Sequence, residues 1–284
     1  MRVGLVGAGP WAQMFTGPMV LETDGLELAG VWARRPEAAA ELGWGTFSSY
    51  EELLEACDVA AFAVPPDVQA SMALRAAKAG KHLLLDKPIA RDVAAAEALA
   101  DAVAEAGVVS QVALTNRFVA KTRAFLAAIA EQELAQVSCR FITSAVLEGS
   151  VYATPWRVAE PHGLLDLGPH AFDLVLAIAG PVEHVIASEH LGVLSARLQH
   201  ESGVASDVTL SAVTPDATGP LAVEVVTTTG RAVLPPKDKE AALASRAVFG
   251  AEFVQAVRGE ITQPIDVHRG LEVQRLLDRV QRAL

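Results

Sequence analysis

The chain has 284 residues, a length that suggests one large or two ordinary domains. Such a chain can bury about 75% of its unfolded surface, so it needs no disulfide or metal to hold a core. Hydrophobic residues make up 51% and charged residues 20%, which excludes wholesale disorder. Lys and Arg number 23 against 34 Asp and Glu, a net charge of −11. This argues against nucleic acid or an anionic membrane as the main partner, while a pocket can still be locally positive.

Cys57 and Cys139 lie far apart in apolar surroundings. With no Cys-x-x-Cys or Cys/His cluster, no metal site is expected, and two reduced, buried thiols of a cytoplasmic protein are. Mean hydropathy is +0.31, but no apolar run reaches the ~18 residues of a spanning helix. The first residues superficially resemble a signal peptide. Gly4, Gly7, Gly9 and Pro10 interrupt any helical apolar region there. The hydropathy is read as alanine and valine packed in an α/β core.

The apolar run at residues 2–6 ends in glycines and reads as a buried strand, followed by a helix from Pro10. Leu26–Trp32 is a second strand. Ser49-Tyr50-Glu51-Glu52 is a capping box opening a short helix. Val59–Val64 reads as a strand closed by Pro65-Pro66, and residues 67–79 as a helix stopped by Gly80. His82–Leu85 is a strand ending at Asp86-Lys87-Pro88. Asp92 caps a helix to Ala106, ended by Gly107, and Val108–Leu114 is a further strand. These strands are almost wholly apolar, as in a parallel sheet covered on both faces. A helix at 120–133 follows, and the texture then changes to alternating segments. These are Gln136–Val146, Val185–Leu191, Ser195–Gln199, Val204–Ala212, Leu221–Thr227 and Arg231–Leu234. Alternation implies an antiparallel or mixed sheet with one open face. Helices are expected at 166–179, 240–257 and 267–283. The expected domains are 1–118 and 119–284.

Gly7-Ala8-Gly9-Pro10-Trp11-Ala12 fits G-x-G-x-x-[G/A] in the required place, after a strand and opening a helix. The first glycine makes the tight turn, the second admits a pyrophosphate, and Ala12 allows close helix–strand packing. The helix N-terminus offers N–H donors to the phosphates. After the second strand the chain reads Ala33-Arg34-Arg35, with no carboxylate for a ribose 2′-hydroxyl. Two guanidinium groups suit a 2′-phosphate, so NADP is preferred and NAD remains possible. A solvated turn is the ordinary alternative for this pair.

Lys87 follows a parallel strand, on the edge where open α/β sheets bind ligands. Taken alone it equally reads as a surface lysine beside a loop proline. Asp166 and His170 are four residues apart and share a helix face. Pro169 is tolerated only in a first helical turn, which puts Asp166 at or near the N-cap and His170 in the first two turns. Histidine suits proton exchange near neutral pH, although a cap and a core histidine fit the same residues. Tyr152, Trp156 and Arg157 could face a polar substrate or serve a core.

Together these residues resemble the Gfo/Idh/MocA oxidoreductases, the family of glucose–fructose oxidoreductase and inositol dehydrogenase. The resemblance runs over nearly the whole length. It rests on the glycine motif, on Ala79-Gly80-Lys81-His82 leading to Asp86-Lys87-Pro88 (Asp where the family has Glu), and on Trp156-Arg157 before Asp166-x-Gly168-x-His170-x-x-Asp173. It implies an N-terminal Rossmann domain followed by an α+β domain with an open, mostly antiparallel sheet, through which copies would pair as homodimers or homotetramers. It implies Lys87, Asp166 and His170 as the catalytic set, acting on a hydroxylated small molecule. Gly7, Gly9, Pro10, Trp11, Ala12, Ala33, Arg34, Arg35, Val64, Pro65, Pro66, Asp86 and Lys87 would meet the cofactor. Asn116, Trp156, Arg157 and His162 would join Lys87, Asp166 and His170 around the substrate. Relatives that assist glycoside hydrolysis by transient oxidation, and a cofactor-binding sensor without catalysis, are the alternative functions. Three departures fall on the substrate side. The family's glycine run is replaced by Glu160-Pro161-His162, Val68-Gln69 stand where a histidine is usual, and the second domain is short.

Overall fold

The computed structural model describes every residue except Pro161, Thr218 and Pro220. The chain divides into two compact units. One comprises Met1–Ala113 with Arg246–Gln274, the other Leu114–Ser245 with Arg275–Leu284.

The first unit is built on strands β1 (Arg2–Val6), β2 (Glu27–Trp32), β3 (Val59–Phe62), β4 (His82–Leu85) and β5 (Ser110–Val112). They form a parallel sheet in the order β2-β1-β3-β4-β5. Its helices are α1 (Gly17–Glu22), α2 (Pro36–Ala40), α3 (Tyr50–Ala56), α4 (Pro66–Lys78) and α5 (Val93–Ala106). β3 is buried along its whole length, as expected where helices cover both faces. The end signals act locally. Ser49 Oγ accepts from Glu52 N–H at 3.1 Å. The returning arm of the capping box goes one residue further back, because Glu52 Oε2 accepts from Ser48 N–H and Oγ–H. Asp92 Oδ1 accepts from Ala95 N–H, and Gly107 closes α5 at φ +63°.

The helix after the glycine turn departs from a regular expectation. Ala12–Thr16 is a π-helical turn that runs into α1. Pro18 explains it: its ring crowds the carbonyl four residues back, and it has no N–H to offer Met14 O. Arg246 Nη1 donates to that carbonyl instead, at 3.3 Å.

The sequence boundary at 118 also needs correction, because Arg246–Gln274 belongs to the first unit. β5 is the sheet's edge, and an open edge is a liability. The returning segment covers it: Val112 N–H donates to Ile265 O and Val267 N–H to Ser110 Oγ. Buried Gln111 donates to Phe249 O and accepts from Gln263.

The second unit holds α6 (Ala120–Ile129), β6 (Leu134–Ile142), α7 (Pro155–Val158) and α8 (Gly168–Ala179). β7 (Val182–His190), β8 (Val193–His200), β9 (Ala205–Ser211), β10 (Ala222–Thr227) and β11 (Gly230–Val233) complete its sheet. The order is β11-β10-β6-β9-β8-β7, antiparallel except for the parallel pair β6–β9. Inward residues Val137, Cys139, Leu198, Val208 and Val225 are buried. Arg197–Asp207 and Arg231–Glu224 pair on exposed side chains. The last helices are α9 (Lys239–Val257) and α10 (Val267–Arg282). Both cysteines are free and buried, and burial raises the Cys139 thiol to about 12. Among the described residues no helix is long and apolar enough to cross a membrane.

Candidate functional site

In the first unit the strand order reverses beside β1, which has β2 on one side and β3 on the other. Open α/β sheets bind ligands at the carboxyl end of such a switch point. A cleft of about 460 Å³ lies there, formed by the turns after β1, β2 and β3. Gly7, Gly9, Ala33, Arg34, Arg35, Val64 and Pro65, all singled out in the sequence, line it together with Trp32 and Val68. Gly7 has φ +110°, and a Cβ on it would stand 2.3 Å from Ala63 O, so only glycine lets β1 turn beside β3. At Gly9 an added Cβ meets nothing within 4 Å. Pro10, Trp11, Ala12, Pro66, Asp86 and Lys87 do not line this cleft. Ala12 and Pro66 are buried in the packing. Trp11 stacks on Phe15 with ring centroids 4.6 Å apart.

Lys87 follows β4 and is half-buried. Its backbone N–H donates to Asp86 Oδ1 at 2.8 Å. Asp86 is itself buried, and the Lys87-Pro88 bond is cis.

In the second unit Asp166 and His170 flank the start of α8. The helix begins at Gly168 and its N-cap is Leu167, with no side-chain cap. Asp166 thus stands one residue before the N-cap, as near to it as the Pro169 argument expects. Its Oδ1 lies 3.1 Å from Arg157 Nε. Arg157 sits over the Trp156 ring at 4.5 Å and the Tyr152 ring at 5.8 Å, a packing that fixes a guanidinium. Arg157 and Trp156, expected around the substrate, are thus joined to the Asp166 carboxylate. His170 lies in the first turn, half-buried, its ring 6.4 Å from Phe141. Gly168 is needed for space, since a Cβ would meet Leu277 Cδ2 at 2.8 Å. Asp173, 1% exposed, accepts from Arg117 Nη1 at 3.0 Å. This anchors the short turn Thr115–Phe118 that carries Asn116. His162 Nδ1 accepts from Leu164 N–H at 3.2 Å, and burial lowers its pKa against the raising effect of Glu160 and Glu189. His162 thus serves its own turn. Of the Glu160-Pro161-His162 replacement, Pro161 lies outside the described residues.

Residues 1–114 match the family described as "Oxidoreductase family, NAD-binding Rossmann fold", the Gfo/Idh/MocA group. Residues 1–114 belong to the Gfo/Idh/MocA oxidoreductase family. The chain is 27% identical over 230 residues to a 4-carboxy-2-hydroxymuconate-6-semialdehyde dehydrogenase of Sphingobium, covering 74% of this chain and 72% of that protein. It is 32% identical over 208 residues to a 1,5-anhydro-D-fructose reductase of Ensifer adhaerens, covering 68% of this chain and 61% of the relative's length. Its fold matches over all of this chain that of GenD2 from gentamicin A biosynthesis, solved with NAD (TM-score 0.86, 19% identity, 93% of that chain). It also matches apo scyllo-inositol dehydrogenase of Lactobacillus casei (TM-score 0.85, 17% identity, 100% of this chain and 96% of that one).

The residues present fit the cofactor of a Gfo/Idh/MocA protein. The backbone at Gly9 faces space that a Cβ would occupy, as close approach of a pyrophosphate requires. The cleft falls within the range of about 300–1,000 Å³ usual for ligand sites. Sequence reasoning missed two features of this unit. Gln69, noted only as a departure, is fully buried and bonded to the Lys87 loop. Arg246 had no local signal at all. Pro18 inside a helical stretch was the available sign that a carbonyl there needed an outside donor.

Proposed function

We propose that this protein is an NADP-preferring oxidoreductase that moves hydride between nicotinamide and a hydroxyl- or carbonyl-bearing carbon of a sugar, polyol or related small molecule. The observation that carries the reading is the cleft after β1, where Arg34 and Arg35 stand with Gly7 and Gly9 and no carboxylate is among the lining residues. An acid there would accept from a ribose hydroxyl. Two guanidinium groups instead suit a phosphate, which accepts their fork of N–H donors. The reductase and dehydrogenase names of the relatives support chemistry at a carbon bearing oxygen.

When bound, the cofactor supplies the hydride acceptor or donor. In oxidation His170 takes the proton of the substrate hydroxyl, and in reduction it returns it. Asp166, its carboxylate held by Arg157, accepts from a substrate hydroxyl and orients the histidine. Lys87 donates to the substrate oxygen and favours negative charge on it. Asn116 is proposed to add a further polar contact. The working form is proposed as a cytoplasmic homodimer or homotetramer joined through the open face of the second sheet, where Ile186 and Val226 are exposed.

Two measurements test this. Fluorescence titration should give NADPH a dissociation constant at least about tenfold below that of NADH, roughly 1.4 kcal/mol. Equal affinities, or a preference for NADH, would remove the role given to Arg34 and Arg35. A panel of sugars and polyols, followed by absorbance of the reduced cofactor, should return a substrate whose turnover His170→Ala abolishes while cofactor binding survives. Retained turnover would exclude His170 as the proton carrier.

A further inference from the structure

We propose that Gln69 is a positioning residue for Lys87, fixing the loop that presents the lysine and linking it to the wall of the cofactor cleft. The inference rests on the reading of Lys87 as a substrate-contacting group.

Gln69 is 0% exposed and lies in the first turns of α4. Its Oε1 accepts from Asp86 N–H at 2.8 Å. Its Nε2 donates to Asp86 O at 2.8 Å, and to Pro88 O and Ile89 O at 3.2 Å each. One side-chain amide thus serves backbone groups on both sides of Lys87. Lys87's own N–H is taken by Asp86 Oδ1, so the backbone around the lysine is held at each step. Only a group with a donor and an acceptor in one plane can do this from a single position. An apolar residue of the same volume would leave buried backbone groups without partners. The placement adds a second consequence. Val64, Pro65 and Val68 line the cofactor cleft, and Gln69 is the next residue. The same helical turn therefore faces the cleft with Val68 and grips the Lys87 loop with Gln69. A substrate-binding lysine and the cofactor wall are set by one rigid element, which is what precise placement of a reacting group requires.

The test reads the lysine itself and needs no substrate. The full-length protein, saturated with NADPH, is labelled with trinitrobenzenesulfonate, and each lysine is followed by peptide mass spectrometry. In Gln69→Met, labelling of Lys87 should rise about fivefold or more as its loop opens locally, while Lys78 and Lys239 keep their wild-type rates. The NADPH dissociation constant should stay within about twofold, since no cleft contact is removed. Gln69→Asn keeps a donor and an acceptor in one amide on a shorter stem, so its effect at Lys87 should be smaller. It also carries the test if the methionine variant does not fold. Unchanged Lys87 labelling in a folded variant overturns the proposal. So does an equal rise at Lys78 and Lys239, or a Gln69→Asn chain that cannot fold, because Gln69 would then support the whole unit. Failure of the underlying reading looks different: Lys87→Ala would keep turnover, whatever the labelling shows.

Discussion

Arg157 Nε stands 3.1 Å from Asp166 Oδ1, with the two side chains only 15% and 12% exposed. α7 supplies one partner, and the turn before α8 supplies the other. The guanidinium is also packed over the Trp156 ring, so the carboxylate is held from a fixed direction. Replacing Arg157 with Met removes the guanidinium beside a nearly buried carboxylate. We expect a loss of about 2–3 kcal/mol in urea unfolding at neutral pH, toward the low end for broken buried pairs. Arg157→Lys should recover only part of it, because an ammonium lacks the planar fork. A loss under about 0.5 kcal/mol in Arg157→Met would mean the pair behaves as a surface bridge.

The π turn at Ala12–Thr16 makes a second prediction. Arg246 donates to Met14 O and pairs with Glu22. Arg246→Met should lower stability by about 1–3 kcal/mol, because it removes a donor to Met14 O and the partner of Glu22. Pro18→Ala restores an N–H in the position that serves that carbonyl in a regular helix. The double variant should therefore lose less than Arg246→Met alone, as a double-mutant cycle in thermal melts would read. Additive losses would separate Pro18 from the need for Arg246.

Buried histidines set a pH response. His200 is 1% exposed. Its Nδ1 lies 2.7 Å from Gly180 O and its Nε2 lies 2.8 Å from Ser206 Oγ. Burial lowers its pKa, against the raising effect of the Gly180 and Pro181 backbone. His82 and His162 are lowered by the same cause. A lowered histidine is neutral in the folded state, while the unfolded chain binds its proton first. The stability is present above the unfolded value near 6.5 and is lost as pH falls through the folded value. Melting temperature should therefore drop from about pH 7.5 to about pH 5.5. The drop should be smaller in His200→Gln, and an unchanged drop would exclude His200 as a contributor.

Lys237 shows the opposite economy of charge. Burial lowers its pKa to about 8, and its Nζ donates to Thr115 Oγ1 at 3.4 Å. The folded state disfavours the ammonium, so the penalty is full below about pH 8 and is relieved as pH rises toward the unfolded value of about 10.4. Lys237→Met should raise stability at pH 7 by about 1–3 kcal/mol, as apolar replacement of a buried charge can. Denaturant melts at pH 7 and pH 9.5 should show the gain shrinking at the higher pH. A variant less stable than the wild type would show that the ammonium is held by more than Thr115.

Local signals were read well where a single residue decides the structure. Ser49, Asp92 and Gly107 mark helix ends by their own side chain or backbone freedom, and the structure puts them there. Apolar strands against alternating strands separated the parallel sheet from the mixed one, because burial on two faces or one is written into each strand. Features made by distant pairing were not legible. Nothing near Asp166 announces Arg157, and nothing near Gln69 announces the backbone of Asp86–Ile89.

The sequence by itself determined the parallel sheet, the glycine turn after its first strand and the pair of arginines after its second, since each follows from short-range pattern and side-chain chemistry. Tertiary structure decided what those patterns meet. It returned Arg246–Gln274 to the edge of β5, joined β6 to β9 in parallel, and gave Gln69, Arg157 and Arg246 their partners. The reason is physical. A buried carbonyl, carboxylate or sheet edge must be satisfied, but which residue satisfies it depends on how the chain packs, and that leaves no mark at the local position.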